Sequence, residues 1–214
     1  MDFVKIKELG EKAIYLAIPT NTTIPTPTAS ATSATINALY HTEGAEFTAT
    51  GKQQLRTGGA AIIAGDTPDV QTQMFLGDLT LSANAAATSL ACGSILAGQT
   101  SETDEFGDVA FWLGEGPYGR GLENEVLKAL GFGGRLPSVK MYPLDLFVQI
   151  SRDQERSRDI VNLLSQLQDT YAFTAENMVS SALGDLVVYC LVGRVTGSGR
   201  IPGWAGLIGI GIMS

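Results

Sequence analysis

The chain has 214 residues, 44% of them hydrophobic, which is enough to bury the core of one large domain or two small ones. Fourteen Lys and Arg residues against twenty-two Asp and Glu residues give a formal net charge of -8. This charge argues against a protein that wraps a nucleic-acid backbone, because such proteins need clustered positive charge. The two cysteines, Cys92 and Cys190, lie far apart in apolar surroundings, so we expect buried thiols rather than a disulfide framework.

Neither end of the chain resembles a targeting or membrane segment. The first eight residues alternate charged and apolar side chains, so we expect no cleaved signal peptide. The uncharged stretch 79–100 is rich in Ser, Thr, Ala and Gly, and the apolar tail 204–213 is too short to cross a bilayer as a helix. We therefore expect no membrane among the partners.

The first 45 residues divide into two predicted segments. A broadly helical stripe of apolar residues predicts an N-terminal helix over residues 1–18. Residues 19–45 predict an extended arm or linker that is rich in Thr and Pro, because prolines, Pro25 and Pro27 among them, block a helix and a central strand. In an assembly such an arm can lie across a neighbouring subunit.

Residues 46–214 predict one α+β domain, with a division near residues 100–107 left open. Its first part predicts three short strands, at 47–50, 59–64 and 70–76. The turn residues of 65–69 join the last two strands in a hairpin. Residues 79–97 fit either a helix through 84–90 or two edge strands.

The second half of the domain has sharper patterns. It predicts a strand at 109–113 and a helix at 122–130, with Gly131 at the position of a C-terminal cap. The remaining predicted elements are a strand at 143–150, a helix at 151–170 that opens on the capping-box residues Ser151 and Gln154, a short helix at 174–184, and closing strands at 186–195 and 205–213. The predicted fold is therefore α+β, a mainly antiparallel sheet packed by two to three helices, with an extended arm.

A glycine-rich loop offers the clearest candidate for a ligand site. Gly114, Gly116 and Gly119 match the G-x-G-x-x-G spacing between a predicted strand and a predicted helix, the context of a dinucleotide fingerprint. Glu115, however, would set a carboxylate against a pyrophosphate, and Pro117 removes an amide donor. A nucleotide-binding enzyme that uses the 114–121 loop is the alternative of another class, whereas a plain turn is the simpler interpretation. We expect no cofactor.

The sequence lacks the combinations of residues that catalytic and metal sites usually need. His41 is the one histidine, so any Ser or Cys nucleophile would need it as base. The turn Cys92-Gly93-Ser94 is apolar, and such surroundings would raise a thiol pKa. The acidic run 102–108 lacks the register of an EF-hand, and no cluster of Cys and His could hold zinc. We expect no catalytic residue and no metal site.

Five residues are our candidates for subunit contacts. Arg194 and Arg200 flank a glycine-rich hairpin tip, where two guanidiniums could grip a phosphate or a partner's carboxylate, although a plain exposed hairpin is the simpler interpretation. The other candidates are Trp204, at the start of the last strand, and Pro25 and Pro27 in the arm.

The second half of the chain also resembles a known class of protein. A helix at 122–130 precedes the sheet, a strand runs through 144–153 into a helix that is first charged and then apolar, and a hairpin of 186–195 and 205–213 closes the sheet. In this order of elements residues 121–214 resemble the core of a tailed-bacteriophage tail terminator or related neck protein. Phage tail-tube proteins are the nearest rival.

The resemblance implies a structural subunit rather than an enzyme. It implies a ring, commonly of six subunits, that contacts other tail or neck proteins of the virion and is assembled in the host cytoplasm. DNA would pass through the lumen without sequence-specific binding. The acidic chain suits this task because like charge keeps DNA from adhering to the wall.

Overall fold

A computed structural model describes residues 1–20, 26–40, 59–98, 105–133, 137–143, 157–181, 184–197 and 199–212. The strands are β1 Asp2–Leu9, β2 Lys12–Ile18, β3 Ala61–Ile63, β4 Val109–Gly114, β5 Ser138–Tyr142, β6 Leu167–Ser181, β7 Gly184–Val195 and β8 Gly203–Ile212. The helices within these ranges are α1 Thr26–Tyr40, α2 Val70–Ser89, α3 Glu123–Ala129 and α4 Arg158–Leu164.

All eight strands form one sheet, in the order β1-β2-β3-β4-β8-β7-β6-β5. Only β3 and β4 run parallel, and every other neighbouring pair is antiparallel. The predicted α+β class with a mainly antiparallel sheet is therefore confirmed, with four described helices instead of two to three. Strands from both sides of residues 100–107 belong to this one sheet.

Helices cover both faces of the sheet and create two hydrophobic cores. Because successive side chains of a strand point to opposite faces, β4 sends Phe111 into one core and Trp112 into the other. The front face, as we call it, packs against α1 and α3, which contribute Ile36 and Leu127. The back face packs against α2 and α4, with Leu79 of α2 fully buried.

The predicted N-terminal helix is wrong, since residues 2–18 form the hairpin of β1 and β2. Gly10 in its turn has φ +63, a left-handed conformation that glycine adopts at little cost. Along β2 the buried side chains Ile14, Leu16 and Ile18 recur every second residue. This period of two, and not the helical stripe, sets the local structure.

The predicted arm is wrong for residues 26–40, which form α1. Pro27 lies in the first turn of this helix, where the missing N–H has no intrahelical partner to lose. Burial of Ile36, Leu39 and Tyr40 against the front face stabilises a Thr- and Ala-rich helix that local propensity alone does not favour. Pro25 and residues 41–45 lie outside the described residues.

Around residue 65 one prediction is confirmed and one is wrong. The strand at 59–64 is confirmed as β3, whereas the strand at 70–76 and its hairpin are replaced by α2. The carboxylate of Asp69 accepts from the backbone N–H groups of Gln71 and Thr72, so it is the N-cap of this helix. The helix alternative for residues 79–97 holds through residue 89, and the strand predicted at 47–50 lies outside the described residues.

Predictions for the middle of the chain agree with the structure. β4 and α3 lie where the strand and the helix were expected. Gly131 follows α3 with φ +88, the left-handed cap conformation that favours glycine.

Toward the C-terminus three predictions differ from the structure. The predicted helix at 151–170 is confirmed only at 158–164, because β6 begins at Leu167, and the helix at 174–184 is replaced by the rest of β6. The strand β5 was missed, and residues 144–156 lie outside the described part. The two closing strands are confirmed as β7 and β8.

Candidate functional site

One end of the sheet gathers most of the residues that the sequence singled out. Gly114 at the end of β4 lies opposite Trp204 at the start of β8, and Trp204 in turn lies opposite Arg194 of β7. This register brings the glycine loop (residues 114–121) next to the tip that joins β7 to β8 (residues 196–202). We call this region the hairpin end. Pro27 is the exception among the described candidates, since it lies in α1.

Aromatic side chains of the protein itself pack against the glycine loop. The ring of Tyr118 packs over Gly116, where any side chain would collide with it, and Gly119 lies against the ring of Trp204. The backbone carbonyl of Tyr118 accepts a hydrogen bond of 2.5 Å from the hydroxyl of Tyr171 in β6. These contacts fasten the loop to the front face of the sheet.

The charges around the glycine loop do not suit a pyrophosphate. The N–H of Gly121, a donor that a phosphate would need, instead donates to Oε1 of Glu123 at 2.7 Å. Glu123 and Glu125 occupy the first turn of α3, so two carboxylates stand where the anion would lie. Glu115 adds a third near Gly114 and Gly116. The geometry favours a structural turn over a nucleotide site.

Arg194 borders this loop on the side of β7. Its Nη2 lies 3.7 Å from Oε1 of Glu115, and both side chains are about half exposed. An ion pair this exposed adds little to stability. The Nε of Arg194 is buried and has no hydrogen-bond partner among the described residues, so the guanidinium is held partly desolvated beside Trp204.

The hairpin tip is fastened to the start of α2. The backbone N–H of Ile201 donates to Oδ2 of Asp69 at 2.9 Å, and the guanidinium carbon of Arg200 lies 4.5 Å above the ring centre of Phe75. Burial alone would raise the pKa of Asp69, but hydrogen bonds from Ile201, Thr72 and Gln71 lower it to about 2. Asp69 therefore caps α2 and anchors the tip as a carboxylate.

A polar cleft of about 350 Å³ opens between this tip, α2 and the junction of α4 with β6. Amides, hydroxyls and one guanidinium make up its lining, namely Gln71, Ser165, Gln166, Gln168, Thr196, Gly197 and Arg200. None of the described residues that line it carries a carboxylate. Sequence reasoning identified Arg200 but none of the glutamines, because they come from three separate elements.

The opposite end of the sheet holds a buried carboxylate that the sequence did not reveal as such. Asp108 is fully buried and accepts from the Ser94 hydroxyl at 2.6 Å and from the Ile95 N–H at 2.7 Å. Burial outweighs these hydrogen bonds and raises the pKa of Asp108 to about 6. Ser94, from the predicted nucleophile-like turn, is 2% exposed, and its hydroxyl is committed to Asp108.

Further buried polar groups connect Asp108 to the helices on both faces. The carboxamide of Asn84 in α2 donates to the carbonyls of Asp108 and Thr80, each at 2.7 Å. On the front side, the hydroxyl of Thr35 in α1 donates to the carbonyl of Gly107 at 2.6 Å. The network satisfies backbone groups at the start of β4, so its role is structural.

The remaining candidate groups do not form a reactive site in the described part of the chain. His41 and residues 102–104 lie outside it, and no group of three or more His, Cys, Asp or Glu side chains within it could hold a metal ion. Cys190 is buried, which raises the pKa of its thiol, and Cys92 is half-buried. None of the described helices is both long enough and apolar enough to span a membrane.

Comparison with known proteins gives no relative: no protein-family model, no curated protein and no solved structure matches this chain. Functional inference therefore rests on the fold, the hairpin end and the edges of the sheet.

Proposed function

We propose that this chain is a structural subunit of a ring- or tube-forming virion assembly, in a phage tail or neck, with a role like that of a tail terminator. The observation that supports it best is a single sheet with two open edges. Within the described part of the chain, no strand pairs with the outer side of β1 or of β5. An edge strand presents a row of backbone donors and acceptors that can pair with another chain.

The two edges lie on opposite sides of the subunit, separated by six strands. If β1 of one copy pairs with β5 of the next, each subunit uses two different surfaces. Contacts of this heterologous kind generate a closed ring or an open tube, depending on the rotation between neighbours. Six subunits is the number that the phage resemblance suggests.

Side chains on both edges favour such a contact. Phe3 of β1 is 39% exposed and Met141 of β5 is 49% exposed, so each edge carries an apolar side chain that a neighbouring strand would cover. Lysines on an edge commonly repel added strands. Here Lys5 pairs with Glu8 and Lys140 pairs with Glu176, so the charge of each is neutralised within its own subunit.

DNA would pass through the ring's lumen, and other tail or neck proteins would bind its ends. The net charge of -8 suits a wall along which DNA slides without adhering. A tail-tube protein is the alternative within the same class. The acidic ring would reside in the virion after assembly in the host cytoplasm.

Electron microscopy of negatively stained protein tests the proposal. We expect closed rings, or stacks of rings, of uniform diameter. Particles the size of one subunit at all concentrations would contradict it.

Ligand-dependent melting separates this proposal from a nucleotide-binding enzyme. Because Tyr118, Glu115 and Glu123 occupy the glycine loop, we expect NAD, FAD and ATP at about 1 mM to leave the melting temperature unchanged. A rise of about 2 °C or more with one of them, removed by substitution of Gly119 with Val, would favour the enzyme.

A further inference from the structure

Arg200 carries a positive charge that the described residues do not neutralise. None of the ion pairs among them includes it. Asp69 is the carboxylate of the hairpin contact, and its two oxygens already accept hydrogen bonds from Gln71, Thr72 and Ile201. The guanidinium is therefore available to an acidic group of a partner.

The guanidinium of Arg200 packs against an aromatic ring of its own subunit. Phe75, which is 2% exposed, lies beneath it with its ring centre 4.5 Å from the guanidinium carbon, so the cation packs against a buried aromatic ring. A guanidinium held by stacking loses less freedom on binding and can grip a carboxylate with two parallel hydrogen bonds.

The surrounding cleft supplies neutral donors rather than more charge. Carboxamides of Gln71, Gln166 and Gln168 and the hydroxyl of Thr196 line its volume of about 350 Å³, which is near the lower end for ligand pockets. One arginine among neutral groups balances a single negative charge. A phosphate dianion would keep an uncompensated charge close to Asp69, so the lining favours a carboxylate.

Exposed apolar side chains adjoin Gln71, Phe75 and Arg200 along the chain. Val70 and Met74, one turn apart at the start of α2, are 69% and 61% exposed, and Ile201, next to Arg200, is 48% exposed. Such side chains beside a cation match a peptide whose acidic residue has apolar neighbours.

We propose that the cleft at Arg200 binds an acidic residue of a partner polypeptide, with the flanking apolar residues of that partner covering Val70, Met74 and Ile201. The site lies at the hairpin end and not on β1 or β5. Carboxylate recognition is therefore measured separately from ring formation, and neither result depends on the other.

The test follows the side-chain Nε–H signal of Arg200 by NMR while small probes are added. N-acetyl-leucyl-glutamic acid amide carries a side-chain carboxylate, N-acetyl-glutaminyl-leucine carries a C-terminal carboxylate, and N-acetyl-leucyl-glutamine amide is the uncharged control. We expect the signal to shift and saturate at millimolar concentration with at least one acidic probe and not with the control. Which acidic probe binds more tightly distinguishes a side chain from a chain terminus.

Variants of Arg200 show whether binding needs the bidentate geometry of the guanidinium or only its positive charge. Arg200→Lys keeps the charge but loses the bidentate geometry, so we expect binding weaker by about tenfold, and Arg200→Gln should abolish it. The binding of these variants is followed through the backbone signals of Gln71 and Thr196. Exposed Arg120 provides the matched control, and Arg120→Gln should bind as the wild type does.

Three results would overturn the proposal. They are no shift with either acidic probe up to about 50 mM, equal shifts with the uncharged control, and undiminished binding by an Arg200→Gln variant whose melting temperature shows that it is folded. Saturable binding of inorganic phosphate without binding of either acidic probe would also reject a carboxylate site.

Discussion

Asp108 is a buried carboxyl group that organises the start of β4 through its hydrogen bonds. Ser94 and the N–H of Ile95 fix its carboxyl group, and Asn84 bonds its backbone. Gly209 of β8 packs so closely that a side chain there would reach the carboxyl oxygen and the Ser94 hydroxyl. Neither of the two described cavities is lined by Asp108.

The raised pKa of Asp108 predicts a pH-dependent stability. The folded state holds a proton up to about pH 6, whereas the unfolded carboxyl loses it near 3.8. Protonation therefore contributes stability that is complete below the lower value and is lost as the pH rises through the upper one. Between pH 4 and pH 7 we expect the wild type to lose roughly 1–3 kcal/mol of unfolding free energy relative to Asp108→Asn.

Urea unfolding at both pH values measures this difference. Asp66→Asn, at an exposed carboxylate, is the matched control and should follow the wild type at each pH. Parallel stability curves for the wild type and Asp108→Asn would show that Asp108 does not titrate in this range.

Among the elements, α2 links the two ends of the molecule. Its N-cap Asp69 holds the hairpin tip. Its middle residues Thr80 and Asn84 bond backbone groups of residue 60, just before β3, and of residues 108 and 110, at the start of β4. The turn that follows the helix contains Ser94, which meets Asp108. A shift of this helix would therefore disturb both the cleft at Arg200 and the buried network.

Removing the cap tests the connection at the hairpin end. Asp69→Ala deletes the acceptor for Gln71, Thr72 and Ile201, so we expect unfolding free energy to fall by about 1–2 kcal/mol at pH 7. The amide of Ile201 should exchange with solvent faster in the same variant. Because the folded pKa of Asp69 is lowered to about 2, its contribution is present above about pH 4 and is lost as the pH falls through 2.

Asp78→Ala, in the middle of α2, is the control for this change. It removes a carboxylate from the same helix but no hydrogen bond of the cap. If Asp69→Ala left the exchange rate of Ile201 as it is in Asp78→Ala, the tip would not depend on the cap.

The sequence predicts elements well where turn residues mark their ends. β4 ends at Gly114 and α3 is followed by Gly131, and both glycines have a left-handed φ. In β6, the residues from Tyr171 to Ala175 are all buried, so no alternation distinguishes strand from helix. For α2, the residues Gly65 to Asp69 are typical of a turn, and only the three-dimensional contacts show that Asp69 caps a helix.

The sequence predicts individual residues of the candidate site, but it does not predict that they lie together. Arg194 and Trp204 meet the glycine loop only because β8 pairs with β4, a contact between distant parts of the chain. The placement of Arg200 over Phe75 likewise depends on the docking of the tip on α2. Sequence periodicity carries information about faces of elements and not about such long-range register.

At the scale of the whole molecule, we expect pairing through the open edges β1 and β5 to determine whether the protein is a monomer or forms a ring. Phe3→Lys and Met141→Lys place a charge beside any strand added to β1 or β5, about 5 Å away. We expect either substitution to dissociate the oligomer without lowering the melting temperature of the monomer. Tyr15→Lys is the matched control, since Tyr15 is also 39% exposed but lies on β2, one strand farther from the edge.

Retention of the oligomer in Phe3→Lys and Met141→Lys would exclude pairing through these edges. Dissociation in Tyr15→Lys as well would point to a contact through the sheet face.

Sedimentation velocity of the wild-type protein measures the size of the assembly in solution. We expect a single narrow boundary at a small integer multiple of the 22.5 kDa subunit, with six copies expected, or a series of larger species if rings stack into a tube. A boundary at the mass of one subunit up to about 100 µM, well above the dissociation constants of stable assemblies, would contradict it.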